Sequence, residues 1–280
     1  VCQKDIRKDI SRLLFSQGRC TILTSATISD KQTGTPEEKC GYYLNSIGYP
    51  VVGMVSEPKK SPFDYDNHTM LYCSREMPYP SIERRKQYRE ASIPEIVKLL
   101  EVTNGKTLIL FTAKEDMEYV YKKLSNMQLP YKILIQSKTS SQAYQLEKFR
   151  ADTNSVIIGT GTYWEGINVE GESLSQVIIY KLPFPVPEPI IDYKMSLTEN
   201  PIDEAAVPEM VIQLKQGVGR LIRSTSDKGI VSILDPRVSL KKARYADVAL
   251  DALSVKNRAD SIVELHTFWD RITNEGSQKS

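Results

Sequence analysis

The most informative part of the chain is QLKQGVGRLIR, residues 213–223. On a helix, Gln216, Arg220 and Arg223 would be spaced i, i+4 and i+7 and would share one face, with Gly219 thinning the helix beside them. Arginine binds phosphate through paired hydrogen bonds and does not lose its charge. The pattern predicts a helix that holds a polyanion at close range. The alternative is an ordinary solvated basic face.

Short apolar runs alternate with amphipathic helical patterns over most of the chain. Such alternation is typical of βαβ crossovers and of an α/β fold with a mainly parallel central sheet flanked by helices. The runs TLILF (107–111) and VIIGT (156–160) are apolar on both faces, as buried parallel strands are. Strands are predicted at residues 21–23, 51–55, 70–73, 107–111, 132–135, 156–158, 176–180 and 230–234.

Composition excludes several classes of protein. The 280 residues contain no apolar run near the roughly 18 residues that a membrane span needs, and residues 1–10 have no signal-peptide core. Isolated histidines provide little for a metal site or a catalytic triad. Cysteines without a CxxC pair are typical of free thiols in a reducing cytoplasm rather than of a metal site. The cysteines are Cys2, Cys20, Cys40 and Cys73.

Two short segments imitate nucleotide-binding motifs. Gly105-Lys106-Thr107 resembles the end of a P-loop, but a helical pattern precedes it and a strand follows it, so a turn is predicted. Residues 203–206, DEAA, resemble a magnesium-binding box, but they follow Asn200-Pro201 and are predicted to open a helix.

The net charge of +2 conceals an uneven distribution. Residues 213–245 contain eight Lys or Arg against two Asp, which predicts a local positive surface for ATP, with DNA as a second candidate ligand. A second basic group is predicted to be a solvated helix face, with a DNA contact as the alternative; it comprises Arg84, Arg85, Lys86 and Arg89.

Four segments resemble, in order, the motifs of one helicase family. LTSAT (23–27) resembles motif III and TLILFTA (107–113) motif IV, while GTYWEGINVEG (161–171) with its trailing KLPF resembles motif V. QxxGRxxR (216–223), followed by STSDKGIVSILDPRV, resembles motif VI of the DinG/XPD branch of superfamily 2. The resemblance implies a RecA-like, P-loop-NTPase-type motor lobe. Residues 29–280 would form the second lobe and residues 1–28 a remnant of the first, with motifs I and II expected before residue 1.

The resemblance also implies roles for individual residues. Arg220 and Arg223 would contact the β- and γ-phosphates of ATP, and Gln216 would sense the γ-phosphate. DNA contacts would come from Thr112, Thr160, Thr162 and Trp164, although the threonines could be helix caps and the tryptophan core packing. The residues implied to couple ATP to DNA are Ser25, Thr27, Glu165, Gly166, Asn168 and Gly219.

As a whole, the resemblance implies an ATP-dependent DNA helicase. ATP and Mg²⁺ would be bound mainly by the first lobe, so the chain alone is expected to be inactive as an ATPase. Single-stranded DNA and the first lobe would be its partners, with no membrane. Asn168 stands where the family usually has Asp, which leaves open a binding module without motor activity. The lobe of a nuclease–helicase fusion is a further alternative.

Overall fold

A computed structural model describes residues 5–16, 18, 20–25, 27–31, 33–50, 52–59, 61–137, 140–165, 173–239 and 244–277. The chain forms two compact units. One comprises Val1–Lys60 and Phe184–Lys215, and the other comprises Ser61–Pro183 and Gln216–Ser280.

The second unit contains a seven-stranded sheet in which every pairing of neighbouring strands is parallel. The strands are β1 Thr69–Cys73, β2 Thr107–Phe111, β3 Ile133–Ile135, β4 Val156–Thr160, β5 Gln176–Ile179, β6 Gly229–Ile233 and β7 Arg258–Ala259. Their order in the sheet is β3-β4-β2-β5-β6-β1-β7, which confirms the predicted α/β class. All residues of β2, β4, β5 and β6 are buried, because helices cover both faces of the sheet.

Twelve α-helices are present in the described part of the chain. They are α1 Arg7–Ile10, α2 Pro36–Lys39, α3 Gly41–Ser46, α4 Tyr65–His68, α5 Arg85–Thr103, α6 Lys114–Ser125, α7 Gln142–Ala151, α8 Thr162–Glu165, α9 Pro189–Ser196, α10 Val207–Val218, α11 Ala246–Asp251 and α12 Ile262–Ser277. Short π-helical segments, Ser11–Phe15 and Ile202–Ala206, and a 3-10 turn, Pro236–Val238, complete the set.

The turn predicted at Gly105-Lys106-Thr107 is confirmed. Helix α5 ends where Asn104 and Gly105 take the left-handed conformation, with φ of 53° and 80°. A Cβ on Gly105 would lie 2.1 Å from the carbonyl oxygen of Asn154, so a side chain has no room there. The chain therefore turns directly into β2. The DEAA segment also behaves as predicted, since it lies in the π-helical turn that leads into α10.

Two predicted strands are wrong. Residues 21–23 and the described residues 52–55 have no strand conformation. Ile22, Val52 and Met54 are 82%, 91% and 92% exposed, so these apolar residues have no sheet on which to pack. Conversely, β7 was not predicted, because two residues are too few to produce a periodic pattern.

Candidate nucleotide-phosphate site

The carboxyl ends of β2 and β4 are joined through Trp164. Phe111, the last residue of β2, pairs with Thr160, the last residue of β4. The indole Nε1 of Trp164, in α8, donates a hydrogen bond of 2.9 Å to the carbonyl of Phe111. Trp164 is fully buried, which supports core packing rather than base stacking for this side chain. Ligands of open parallel sheets commonly bind at this edge.

Gly217 allows α10 to lie directly against this tryptophan. A Cβ at Gly217 would lie 2.8 Å from two ring carbons of Trp164 and 3.0 Å from a methyl carbon of Leu110. Any larger residue would push the helix off the indole. The sequence interpretation singled out Gly219 and missed Gly217, since only the packing distinguishes the two glycines.

The backbone of Arg220 does not continue the helix, which corrects the prediction of one helical face for Gln216, Arg220 and Arg223. Helix α10 ends at Val218, and the N–H of Arg220 bonds to the carbonyl of Gly217 at 3.2 Å in a tighter turn. Further on, Asp227 Oδ2 accepts the N–H groups of Arg223 at 2.7 Å and of Ser224 at 2.8 Å. This carboxylate provides the acceptor that a continued helix would have supplied.

Backbone carbonyls orient the Arg220 side chain. Its Nε lies 3.2 Å from the carbonyl oxygens of both Trp164 and Gln216. We call Phe111, Trp164, Gly217 and Arg220 the Trp164 junction. It brings residues of the segments that resemble motifs IV, V and VI into contact.

The charge of Arg220 is affected by a second cation nearby, Arg223. Burial lowers the pKa of Arg220, the charge of Arg223 lowers it further, and Glu165 opposes both effects. Arginine nevertheless stays charged near neutral pH because its ordinary pKa lies so high. Two neighbouring guanidiniums repel each other, and a bound phosphate group would relieve that repulsion.

The other predicted site residues lie in different environments. Thr160 is buried, and its N–H donates 2.8 Å to Gln136 Oε1. Thr162 and Glu165 are exposed, Thr112 is half-buried, and Gly219 is exposed. Glu165 and Thr162 therefore present polar groups to solvent near the junction, whereas Thr160 is turned inward.

Two of the predicted coupling residues do not belong to the sheet-bearing unit. Ser25 and Thr27 lie in the unit formed by Val1–Lys60 and Phe184–Lys215. The hydroxyl of Ser25 accepts the N–H of Thr27 at 3.2 Å, a local turn typical of serine. Gly166 and Asn168 lie outside the described residues.

A second group of cations surrounds Asp116, whose side chain is 2% exposed. Arg89 Nε and Lys181 Nζ each lie 2.7 Å from its carboxylate, and Arg85 Nε lies at 3.3 Å. Burial raises the pKa of Asp116, but the hydrogen bonds and charges of Lys181 and Arg89 outweigh it and hold the pKa below its ordinary value. We call these four residues the Asp116 cluster. The sequence interpretation treated its two arginines as a solvated helix face, which is wrong for Arg89 because that side chain is largely buried.

Several of the cations that were predicted to form a positive surface at residues 213–245 bind to other groups of the chain instead. Arg237 Nη2 pairs with buried Asp235 at 2.6 Å. Lys228 donates to the carbonyl of Ile272 in α12, and Lys215 donates to Ser29. These three cations serve the fold, so the basic count overstated the surface left for a polyanion.

Comparison with known proteins identifies the class. The model of the family described as helicase C-terminal domain matches residues 96–254. The chain is 30% identical over 268 residues to the 3'-5' exonuclease DinG of Bacillus subtilis, covering 92% of the chain and 28% of that protein. It is 32% identical over 226 residues to the ATP-dependent DNA helicase YoaA of Escherichia coli, covering 79% of the chain and 33% of that protein.

Solved structures agree on the fold. An apo XPD structure matches with a TM-score of 0.55 at 23% identity, over 69% of this chain and 40% of that one. An XPD helicase structure matches with a TM-score of 0.54 at 23% identity, over 68% of this chain and 35% of that one. The fold is thus the RecA-like lobe of helicases.

The chain belongs to the helicase C-terminal domain family, as a lobe of the DinG/XPD type. It spans roughly three tenths of the length of these curated relatives, 28% and 33% respectively.

Two further observations concern ligands and membranes. Among the described residues, no group of three or more His, Cys, Asp or Glu side chains could hold a metal ion. No helix in the described part of the chain is both long and apolar enough to cross a membrane.

Proposed function

We propose that this chain is the second motor lobe of an ATP-dependent DNA helicase. In this proposal Arg220 and Arg223 contact the β- and γ-phosphates of ATP, and Gln216 senses the γ-phosphate. ATP and Mg²⁺ are bound mainly by the first motor lobe of the same protein, which carries motifs I and II. The chain by itself, which contains no P-loop, hydrolyses no ATP.

One observation carries this proposal. Arg220 and Arg223 lie close enough for the charge of Arg223 to lower the pKa of Arg220, and two backbone carbonyls orient the Arg220 guanidinium. A carbonyl fixes the direction of a guanidinium without cancelling its charge, which leaves a positively charged group of fixed orientation. Such a group stabilises the charge that spreads over the phosphoryl oxygens in the transition state.

The same proposal places single-stranded DNA near the carboxyl ends of β2 and β4. Thr112 and Thr162 would donate hydrogen bonds to DNA phosphates, as hydroxyl side chains commonly do. Ser25, Thr27, Glu165, Gly166, Gly219 and Asn168 would link the nucleotide to the strand. Trp164 and Thr160 are both buried, so they would pack beneath the surface at this edge of the sheet and would not touch a base.

The test is DNA-stimulated ATP hydrolysis by the full-length protein carrying Arg220→Ala. Loss of an arginine finger lowers turnover by about 10³- to 10⁵-fold. Arg220→Lys should recover little, because an ammonium does not reproduce the two-pronged guanidinium geometry. Lys148→Ala, which removes an exposed cation on α7, is the matched control and should leave turnover unchanged.

Binding of ATP separates catalysis from folding in this experiment. Arg220→Ala should still bind a fluorescent ATP analogue on the first lobe. Unchanged turnover in Arg220→Ala would overturn the proposal. DNA binding by the wild-type protein without ATP hydrolysis would also overturn it, and would favour a binding module without motor activity.

A second candidate is the helicase lobe of a nuclease–helicase fusion. It is favoured by the 30% identity, over 92% of the chain, to a protein named as a 3'-5' exonuclease. Digestion of end-labelled DNA by the full-length protein tests it. Digestion that persists in Arg220→Ala would support a separate nuclease domain, and no digestion by the wild-type protein would exclude this candidate.

A further inference from the structure

Lys215 makes a contact that the helicase motifs do not include. It lies on α10, one residue before Gln216, and its Nζ donates 2.8 Å to the carbonyl and 2.9 Å to the hydroxyl of Ser29. Burial lowers the pKa of Lys215, while the nearby Asp30 opposes this effect. Because burial removes water from this ammonium group, its hydrogen-bond partners in the protein replace the lost hydration.

Asp30 is the second charged group at this place. Its side chain is 5% exposed, and its Oδ1 has no hydrogen-bond partner among the described residues. Burial raises the pKa of Asp30, and the charges of Lys31 and Lys215 and the N–H of Tyr42 act against that rise. Lys215 is therefore one of the groups that offset the cost of a buried carboxylate.

The segment around Asp30 is also fixed from its other side. The N–H of Asp30 donates 3.0 Å to the carbonyl of Lys39 at the end of α2. Ser29 and Asp30 are the second and third residues after Thr27. The contact with Lys215 therefore lies just after the segment that resembles motif III. Lys215, Ser29, Asp30 and Lys39 all belong to the same compact unit.

We propose that Lys215 is a positioning residue that fixes residues 27–30, at the end of the segment that resembles motif III, against the helix that leads into Gln216. Through its two bonds to Ser29 and its charge beside Asp30, it sets where Ser25 and Thr27 lie. This inference rests on the proposed helicase function, because Ser25 and Thr27 matter only if they couple ATP to DNA. Lys215 itself touches neither ATP nor DNA in this proposal.

The first part of the test measures the segment directly. Hydrogen–deuterium exchange of peptides covering residues 20–31 is compared in the full-length protein and its Lys215→Met variant. Methionine keeps the unbranched stem but removes the charge and the donors. Exchange in this segment should increase at least fivefold, and exchange equal to wild type would overturn the proposal.

The second part of the test measures how strongly ATP hydrolysis is coupled to DNA. Lys215→Met should lower the ATP turnover number at saturating DNA about tenfold, with the KM for ATP unchanged, because the nucleotide contacts themselves remain. Lys215→Arg keeps the charge and the donors and should recover at least half of the wild-type turnover. A loss of similar size in both variants, or a KM that rises with the fall in turnover, would contradict a positioning role.

Two further variants show whether the effect belongs to the contact between Lys215 and Ser29. Lys8→Met removes an exposed lysine on α1 in the same unit, and DNA stimulation should be unchanged in it. Ser29→Ala removes one of the two acceptors and should give a smaller loss than Lys215→Met. If Arg220→Ala proves fully active, the helicase proposal fails, whereas the exchange measurement still decides whether Lys215 fixes the segment.

Discussion

The Asp116 cluster and the Trp164 junction both hold arginines, but by opposite means. In the Asp116 cluster a buried carboxylate accepts hydrogen bonds from three cations, two of them at 2.7 Å, and exposed Glu115 pairs with two of the same cations, Arg85 and Arg89. Two negative charges therefore face three positive ones. At the Trp164 junction, Arg220 is oriented by two carbonyl oxygens at 3.2 Å and keeps its charge beside Arg223. Cations that share a buried carboxylate therefore stabilise the fold, whereas two adjacent guanidiniums, those of Arg220 and Arg223, favour a bound anion.

Removal of the carboxylate is the strongest test of this difference. Asp116→Asn removes the buried carboxylate that pairs with Lys181 and leaves Arg89 with the exposed Glu115, at 3.6 Å, which should lower the free energy of unfolding by about 3 kcal/mol. Urea denaturation of the 280-residue chain measures it. Glu90→Gln is the matched control, because its pair with Lys86 is long, at 4.0 Å, and exposed, so the change should stay within about 0.5 kcal/mol.

The same variant should leave the chemistry intact. In the full-length protein, folded Asp116→Asn should keep wild-type ATP turnover. A large loss of turnover in fully folded protein would show that the Asp116 cluster takes part in the reaction, and the distinction between the two groups of cations would then be wrong.

Gly217→Ala tests the packing of the Trp164 junction. The added methyl would lie 2.8 Å from the indole of Trp164, so the ring or the helix must move, at a cost of about 1–3 kcal/mol. Because Arg220 bonds to the Trp164 carbonyl, ATP turnover should fall by more than the unfolded fraction explains. Gly41→Ala, where a Cβ meets nothing within 4 Å, should be nearly neutral in both measurements.

The smallest expected effect is a dependence of stability on pH. The pKa of Asp116 is held below its ordinary value of 3.8 in the folded chain, so its stabilising contribution is complete above that value. It is lost as the pH falls through the lowered pKa. The difference in unfolding free energy between wild type and Asp116→Asn should be constant above about pH 5 and shrink on acidification. A difference that stays the same at about pH 3 would contradict this assignment.

Much of the fold was predictable because local pattern and tertiary structure agree there. TLILF and VIIGT form β2 and β4 as expected, since runs that are apolar on both faces are stable only inside a sheet. The pattern failed at residues 52–55, where apolar residues are exposed and no strand forms. Composition alone does not reveal whether a neighbouring strand exists.

The sequence by itself indicated the class of the chain through its resemblance to four helicase motifs, because each motif is contiguous in the chain. It also placed Arg220 and Arg223 in one segment, although it predicted one helix through both. Only the tertiary structure decided that α10 stops at Val218, that Gly217 rather than Gly219 packs on Trp164, and that Lys215 turns to Ser29. These outcomes depend on the distances between atoms far apart in the chain, and no local pattern of residues contains such distances.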